Sequence, residues 1–460
     1  MQNGTDYDVL IVGGGQAGIP LAYKLAGEGM SVALAERKDL GGSCVNFGCS
    51  PTKAVIASAR VAHQARRASE YGLEIPEIRV DFPAVLERAR GIVGRKRSGL
   101  DEGLEGSENP LLIRGHASFE GRGDAEEGFR LRVGERSVTA RQVVLDTGTR
   151  TVVPPIEGIE SVDFIESGNW LEKTELPEHV AIVGGSYIGL EMAQFYRRMG
   201  SRVTVVVGNN DHVVPREDDD VTDALREILE DEGIAFVFCE SAQKVTPDGD
   251  RDLLLTLDGG DPTEIQASHL FLATGRKPNT DDLGLETVGL ETDRGIVQVD
   301  GRLATGVEGI WAAGDIRGGP MFTHTAWDDH RILLSQIAGD GSRTTERVVP
   351  YAVFTDPDLG RVGMTEREAR ESGYEVEVMS FDISKEKGKA LEIGETKGLI
   401  KVVADASNGL ILGAAVLAFG GSELVHAYVD LMNAGAPVSV IRDAVHIHPT
   451  LAEDVQSALA

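Results

Sequence analysis

Cys44 and Cys49 stand in the run Gly41-Gly42-Ser43-Cys44-Val45-Asn46-Phe47-Gly48-Cys49-Ser50-Pro51-Thr52-Lys53. Two thiols this close are redox-active, metal-binding or accidental. Structural zinc sites use gaps of about two to four residues and need two further ligands. No second Cys or His cluster lies near the pair, so a metal site is disfavoured and none is expected. A helical stretch over residues 54–67 follows. It puts the pair at a helix N-terminus, a position that lowers thiol pKa and favours the thiolate. Two buried, inert cysteines are the plain alternative. Cys239 ends the strand-like run Ala235-Phe236-Val237-Phe238-Cys239 and reads as a small buried hydrophobe. Three cysteines in 460 residues are too few for a structural disulfide framework.

The elements that must position these thiols begin with two glycine turns. Gly13-Gly14-Gly15-Gln16-Ala17-Gly18 follows an apolar run over residues 8–12. It precedes a helical stretch to about Glu28 and a strand ending at Glu36. Strand, glycine turn, helix and strand open a dinucleotide-binding unit. Gly13 permits the tight turn, Gly15 lets a pyrophosphate approach the backbone, and Gly18 lets helix pack on strand. The helix N-terminus offers N–H groups and a positive dipole end to phosphate, and Glu36 can accept hydrogen bonds from a ribose diol. The plan recurs at Gly184-Gly185-Ser186-Tyr187-Ile188-Gly189, between an apolar run over residues 180–183 and a strand over 202–207. Val143-Val144-Leu145-Asp146-Thr147-Gly148 likewise echoes Leu270-Phe271-Leu272-Ala273-Thr274-Gly275. This internal duplication implies two nucleotide domains. The segment Ile310-Trp311-Ala312-Ala313-Gly314-Asp315 reads as a strand returning to the first. A third region, from about Val348, mixes strands and helices.

The length suits two or three domains, and 41% apolar with 26% charged residues is ordinary for a globular chain. No apolar run reaches the ~18 residues of a membrane helix. The start shows neither a basic nor an apolar signal region, so no membrane association and a cytoplasmic location are expected. A formal charge of −29 excludes nucleic acid and anionic membranes as partners, since both need a basic surface. Acidic clusters such as Glu217-Asp218-Asp219-Asp220 read as well-solvated surface or as adaptation to high salt.

Cys44-x4-Cys49 followed by Pro51-Thr52-Lys53 resembles the redox motif of the class I pyridine nucleotide–disulfide oxidoreductases, which include glutathione reductase, dihydrolipoyl dehydrogenase and mercuric reductase. The likeness spans essentially the whole chain. It takes in both glycine turns, both Thr-Gly segments, Ala313-Gly314-Asp315 and the C-terminal His448-Pro449-Thr450-x-x-Glu453. The resemblance implies an α/β fold with two Rossmann-like dinucleotide-binding domains and a C-terminal α+β dimerisation domain. The FAD domain would comprise residues 1–150 and 278–346, the NAD(P) domain 151–277, and the dimerisation domain 347–460.

It also implies roles. Cys49 would face the flavin and form the charge-transfer complex, and Cys44 would be the interchange thiol that attacks the acceptor. Lys53 would sit near flavin N5 and pair with Glu191. Asp315 would hold the ribityl–pyrophosphate part, with Thr147 and Gly148 beside the FAD, while Gly184, Gly189 and Gly275 would frame the nicotinamide cofactor. His448, contributed by the other subunit and oriented by Glu453, would be the acid–base. Thiol–disulfide exchange needs a thiolate to attack and a proton for the departing sulfur. A histidine near neutrality, its tautomer fixed by a carboxylate, serves both ends. His446 competes for this role, and His448 is preferred because it precedes Pro449-Thr450.

The pattern has departures. Ser186 replaces the middle glycine of the second turn, and the next strand ends in Gly208-Asn209-Asn210-Asp211. It shows neither the carboxylate usual for NAD nor the arginines usual for NADP, so NAD(H) or NADP(H) is left open. Asp146, where the family often has a small residue, reads as harmless beside a turn. No vicinal cysteines stand near the C-terminus. The segments around Phe354 and Phe322-Thr323-His324-Thr325 look most like the mercuric-reductase-like branch. The expected protein is a homodimeric, FAD-dependent NAD(P)H:disulfide oxidoreductase, dihydrolipoyl-dehydrogenase-like, acting on a small disulfide or dithiol. A metal ion or low-molecular-weight disulfide is the alternative acceptor. Two readings of another kind are a redox-sensing flavoprotein that does not turn over and a peripheral subunit of a larger complex.

Overall fold

The computed structural model describes residues 6–123, 128–209, 211–249, 251–385 and 388–459. The first residues of the chain and Asn210, both read above, lie outside these. Strands that are apolar on both faces belong in parallel sheets covered by helices; one part of the first sheet follows that rule, while the strands at its other edge pair antiparallel. Its strands are β1 (Tyr7–Val12), β2 (Val32–Glu36), β3 (Leu111–Arg114), β4 (Ala117–Arg122), β5 (Phe129–Val133) and β6 (Arg136–Leu145), in the order β3-β2-β1-β6-β5-β4. Val9, Leu10 and Ile11 are wholly buried at its centre. Its helices are α1 (Gly18–Gly27), α2 (Gly42–Asn46), α3 (Cys49–Arg66) and α4 (Phe82–Glu105).

The chain leaves on β7 (Thr149–Thr151) and returns on β16 (Arg276–Pro278), which pair antiparallel. Between them β8 (Phe164–Glu166), β9 (His179–Val183), β10 (Arg202–Gly208), β11 (Ile234–Cys239) and β15 (His269–Leu272) form a parallel sheet in the order β11-β10-β9-β15-β8. Helices α5 (Tyr187–Met199) and α6 (Asp219–Asp231) belong to it. A small antiparallel sheet joins β12 (Ser241–Asp248), β13 (Asp252–Asp258) and β14 (Glu264–Ala267). After the short β17 (Thr292–Asp293) and β18 (Ile296–Val297), β19 (Ile310–Ala312) pairs with β6, as expected for the returning strand. Helix α7 (Thr323–Ile337) follows. The C-terminal region is an antiparallel sheet of β20 (Pro350–Val353), β21 (Asp358–Gly363), β22 (Val376–Asp382), β23 (Leu399–Asp405) and β24 (Ile411–Ala418), ordered β20-β21-β24-β23-β22. The mixed α/β class and its two dinucleotide-binding sheets are those expected.

One apolar core ties the redox helix in place. Val55 and Ala59 of α3, Leu86 and Ala89 of α4, Phe195 and Tyr196 of α5, and Val353 and Leu359 of the C-terminal sheet share it. Phe82 stacks on Phe195 with ring centroids 5.9 Å apart. Among the described residues, no helix is long and apolar enough to cross a membrane.

One expectation fails. Glu217 and Asp218 are not solvated surface, being only 1% and 8% exposed. Glu217 accepts the Tyr351 hydroxyl and lies 3.3 Å from Arg361 Nε. Asp218 accepts from the Glu366 N–H at 2.9 Å, and Lys401 Nζ reaches Asp220 at 3.0 Å. Half of the acidic run is thus an anchor to the C-terminal region, its charges paired as buried charges must be.

Candidate active site

The turn before Cys44 is built from glycine by necessity. Gly41 and Gly42 have φ of +95° and +59°, and a Cβ on Gly41 would strike Val45 at 2.6 Å. Asn46 locks the turn by donating to Leu40 O and Gly42 O at 3.0 and 2.9 Å, and its Oδ1 accepts from Arg97 of α4 at 2.8 Å. Trp170 Nε1 donates to Phe47 O at 2.8 Å. The redox helix starts earlier than the stretch read from sequence: Cys49 is the first residue of α3, and Cys44 sits in the separate short α2.

Both cysteines are thiols in the structure, the reduced form of a pair. The interaction between the two thiols holds Cys49 below its ordinary pKa and, together with burial, pushes Cys44 above its own. Thr323, first residue of α7, places its Oγ1 3.2 Å from Cys49 Sγ, and Lys53 adds a further favourable charge. Lys53 Nζ in turn pairs with Glu191 Oε2 at 2.7 Å and lies 4.3 Å from the centre of the Phe354 ring. Glu191, 5% exposed, accepts from the Phe354 N–H through its other oxygen at 3.0 Å. Replacing Thr323 by valine removes one hydrogen bond to the thiolate. The Cys49 thiol pKa, read from the pH dependence of alkylation, is expected to rise, while Thr323→Ser stays near wild type. Equal effects of the two would show that Thr323 acts by packing alone.

A continuous cleft of about 2380 Å³ links the thiols to both glycine turns. The residues around the first turn fit a dinucleotide. Gly15 and Gly42 face each other so closely that a Cβ on Gly42 would lie 3.2 Å from Gly15 Cα. That is the close approach a pyrophosphate cradle needs. Glu36 accepts from Gly14 N and Lys38 N, each at 2.7 Å, which points its carboxylate at the turn. Asp315 accepts from Thr149 Oγ1 at 3.1 Å, and its neighbour Gly314 is tied by N–H to the buried Asp329 at 2.9 Å. Arg317 and Arg347 clamp Asp329 at 2.8 and 2.6 Å. Thr147 and Gly148 line the same cleft. At the second turn a Cβ on Gly184 or Gly189 would collide with backbone at 2.3 or 1.9 Å, so both glycines are sterically required there. Gly184 and Gly275 line the cleft. Gly13, with Asp146 O 2.2 Å from its would-be Cβ, and Gly18, with Gly13 O at the same distance, are equally forced.

Asp146 is more than a passenger beside a turn. Its Oδ2 accepts from the Gly18 N–H at 2.7 Å, capping α1 from inside the protein. Burial pushes it well above the usual carboxylate range. A carboxyl whose folded pKa exceeds its unfolded value costs the fold nothing at low pH. The cost grows as pH rises above about 3.9. Asp146→Asn keeps the shape without the charge. It is expected to raise the melting temperature of the FAD-loaded protein near neutral pH, the gain shrinking as pH falls towards about 4. A gain independent of pH would contradict this.

His448 Nδ1 lies 3.1 Å from Glu453 Oε2, and the imidazole is 75% exposed. Neither residue lines the cleft that holds the cysteines. Val445 and Ile447 beside it are 98% and 78% exposed, so this stretch carries apolar surface. The structure thus brings Cys44, Cys49, Lys53 and Glu191 together and leaves His448–Glu453 apart from them within one chain. Sequence reasoning noted the segments of Thr323 and Phe354 only as a branch resemblance and missed their place beside Cys49 and Lys53, as it missed the part of Asp329.

The comparisons agree with this geometry. The family model described as pyridine nucleotide-disulphide oxidoreductase matches residues 7–329, and its dimerisation domain matches residues 349–459. The mercuric reductase of Streptomyces lividans is 35% identical over 100% of this chain and 96% of its own. The dihydrolipoyl dehydrogenase of Halobacterium salinarum is 34% identical over 99% and 96%. The HOCl-induced flavoprotein disulfide reductase RclA from Escherichia coli superposes with a TM-score of 0.87, at 32% identity over 98% of both chains. Members of this family bind FAD and take electrons from NAD(P)H, and the dimerisation domain supports a homodimer. The chain belongs to the pyridine nucleotide-disulphide oxidoreductase family and is an FAD-dependent enzyme of that family.

Proposed function

We propose that the protein is a NAD(P)H-driven disulfide reductase that turns over through Cys44 and Cys49 in a homodimer whose two active sites each use residues of both chains. The observation that carries this reading is the thiol pair itself: Cys44 in α2 and Cys49 at the head of α3, with Thr323 Oγ1 3.2 Å from Cys49 Sγ and Lys53 of the same helix paired to Glu191. FAD, when bound, supplies the two-electron relay between nicotinamide and the pair. Glu36, Thr147, Gly148 and Asp315 would hold it, with Lys53 at its redox end. Attack by Cys44 requires its thiolate, so a base must take its proton, and His448, supported by Glu453 of the same chain, is the group for that task in the partner's site.

Cys44 sulfur then attacks one sulfur of the acceptor disulfide. That S–S bond breaks, a mixed disulfide forms, and the departing thiolate receives the proton from His448. Cys49 thiolate next attacks Cys44 Sγ, which closes the Cys44–Cys49 disulfide and expels the second thiolate, and this takes its proton from solvent. Two electrons from one NAD(P)H reopen it. Run backwards with a dithiol and NAD+, the same steps give dihydrolipoyl-dehydrogenase chemistry. The test is stoichiometry with disulfides, lipoamide and mercuric ion as acceptors. Two thiols released per NAD(P)H oxidised support the reading. Oxidation driven only by mercuric ion, the substrate implied by the Streptomyces relative's name, would move the assignment to metal reduction.

A further inference from the structure

The chain carries 74 acidic residues against 45 basic ones, yet residues 88–97 of α4 hold Arg88, Arg90, Arg95, Lys96 and Arg97 with no acid among them. Three of these are spent on the fold. Arg88 donates to Ala54 O at 2.7 Å and Arg90 to Leu171 O at 2.6 Å. Arg97 bonds Asn46 and pairs with Asp39 at 3.1 Å. Arg95 and Lys96 differ: both are exposed, and among the described residues neither has a carboxylate within 4.0 Å. Gly94 and Gly99 flank them and are exposed as well. Lys96 Nζ donates to Ser50 Oγ at 2.8 Å, one residue from Cys49, and its charge is close enough to act on Cys44.

An unpaired cation beside the interchange thiol has a physical consequence. The net charge of this protein repels anions, while Lys96, hydrogen-bonded to Ser50 next to Cys49, sets a local positive charge near the thiols. We propose that Lys96, assisted by Arg95, is a specificity-determining residue that selects acceptor disulfides carrying carboxylate or other anionic groups. This rests on the disulfide-reductase reading above and names its substrate class: an anionic disulfide in preference to a neutral or cationic one.

The test uses the FAD-loaded dimer and three acceptors with the same S–S centre: 3,3′-dithiodipropionate, 2-hydroxyethyl disulfide and cystamine, which are dianionic, neutral and dicationic. Wild type is expected to show kcat/KM falling in that order, the spread narrowing as salt rises. Lys96→Gln is expected to lower the dianion-to-dication ratio by about tenfold and Lys96→Glu by about a hundredfold, as charge interactions at partly exposed sites allow. Arg95→Gln should shift it less. The ratio is taken within one protein, so partial misfolding of a variant cancels. A wild-type ratio near one, or a ratio unmoved by Lys96→Glu, overturns the proposal while leaving the reductase reading intact. Failure to reduce any of the three overturns both.

Discussion

Cys44→Ser is expected to abolish disulfide turnover, by roughly a thousandfold or more as for loss of a covalent nucleophile, while leaving reduction of the bound flavin by nicotinamide. The asymmetry follows from position. Cys44 sits in the separate short α2, whereas Cys49 heads α3, the helix that also carries Lys53. A serine hydroxyl at position 44 can neither attack a disulfide nor close one with Cys49. Stopped-flow absorbance checks the first half-reaction and a thiol-release assay the second. Unchanged turnover in Cys44→Ser would remove the interchange role altogether. Cys49→Ser should lose turnover as well, because the mixed disulfide on Cys44 then has no thiolate to resolve it.

The second large effect concerns His448. Removing a positioned acid–base typically costs 10²–10⁴ in rate, and His448→Ala is expected to fall in that range. The sharper prediction is complementation. Homodimers of Cys44→Ser and of His448→Ala are each inactive, but in a mixed dimer one site joins an intact Cys44 to an intact His448 from the partner. Unfolding and reassociating the two variants at equal amounts should restore about a quarter of wild-type activity: half of the dimers are mixed, each with one working site. If His448 served the cysteines of its own chain, the mixture would stay inactive. Its 75% exposure and its absence from the cleft within one chain are what the shared site requires.

What was legible in the sequence is what short windows encode. The thiol pair and the start of its helix fall within ten residues, and each glycine turn lies between its own strand and helix, so local chemistry reveals both. What was not legible depends on contacts far along the chain. Thr323 reaches Cys49 across 274 positions, and Asp146 reaches Gly18 across 128. In sequence Asp146 stands out only as a departure from the family pattern and Thr323 only as part of a branch-like segment; the fold alone shows that Thr323 touches Cys49 and Asp146 caps a helix. The acidic run 217–220 misled for the same reason. Its partners Tyr351, Arg361 and Lys401 arrive on strands β20, β21 and β23 of the C-terminal sheet, and without them a run of acids reads as solvated surface. The nicotinamide preference stayed open because the end of β10 offers Gly208 and Asn209, which carry no charge of either sign.

The most direct test counts thiols. The purified, air-oxidised protein is denatured anaerobically with an alkylating agent before and after one equivalent of NADH or NADPH, and the modified cysteines are mapped by mass spectrometry. With three cysteines in the chain, only Cys239 should be modified before addition, and Cys44 and Cys49 should join it afterwards. If Cys44 and Cys49 are already modified in the oxidised protein, or stay unmodified while the nicotinamide is consumed, the pair is not the redox centre and the account fails.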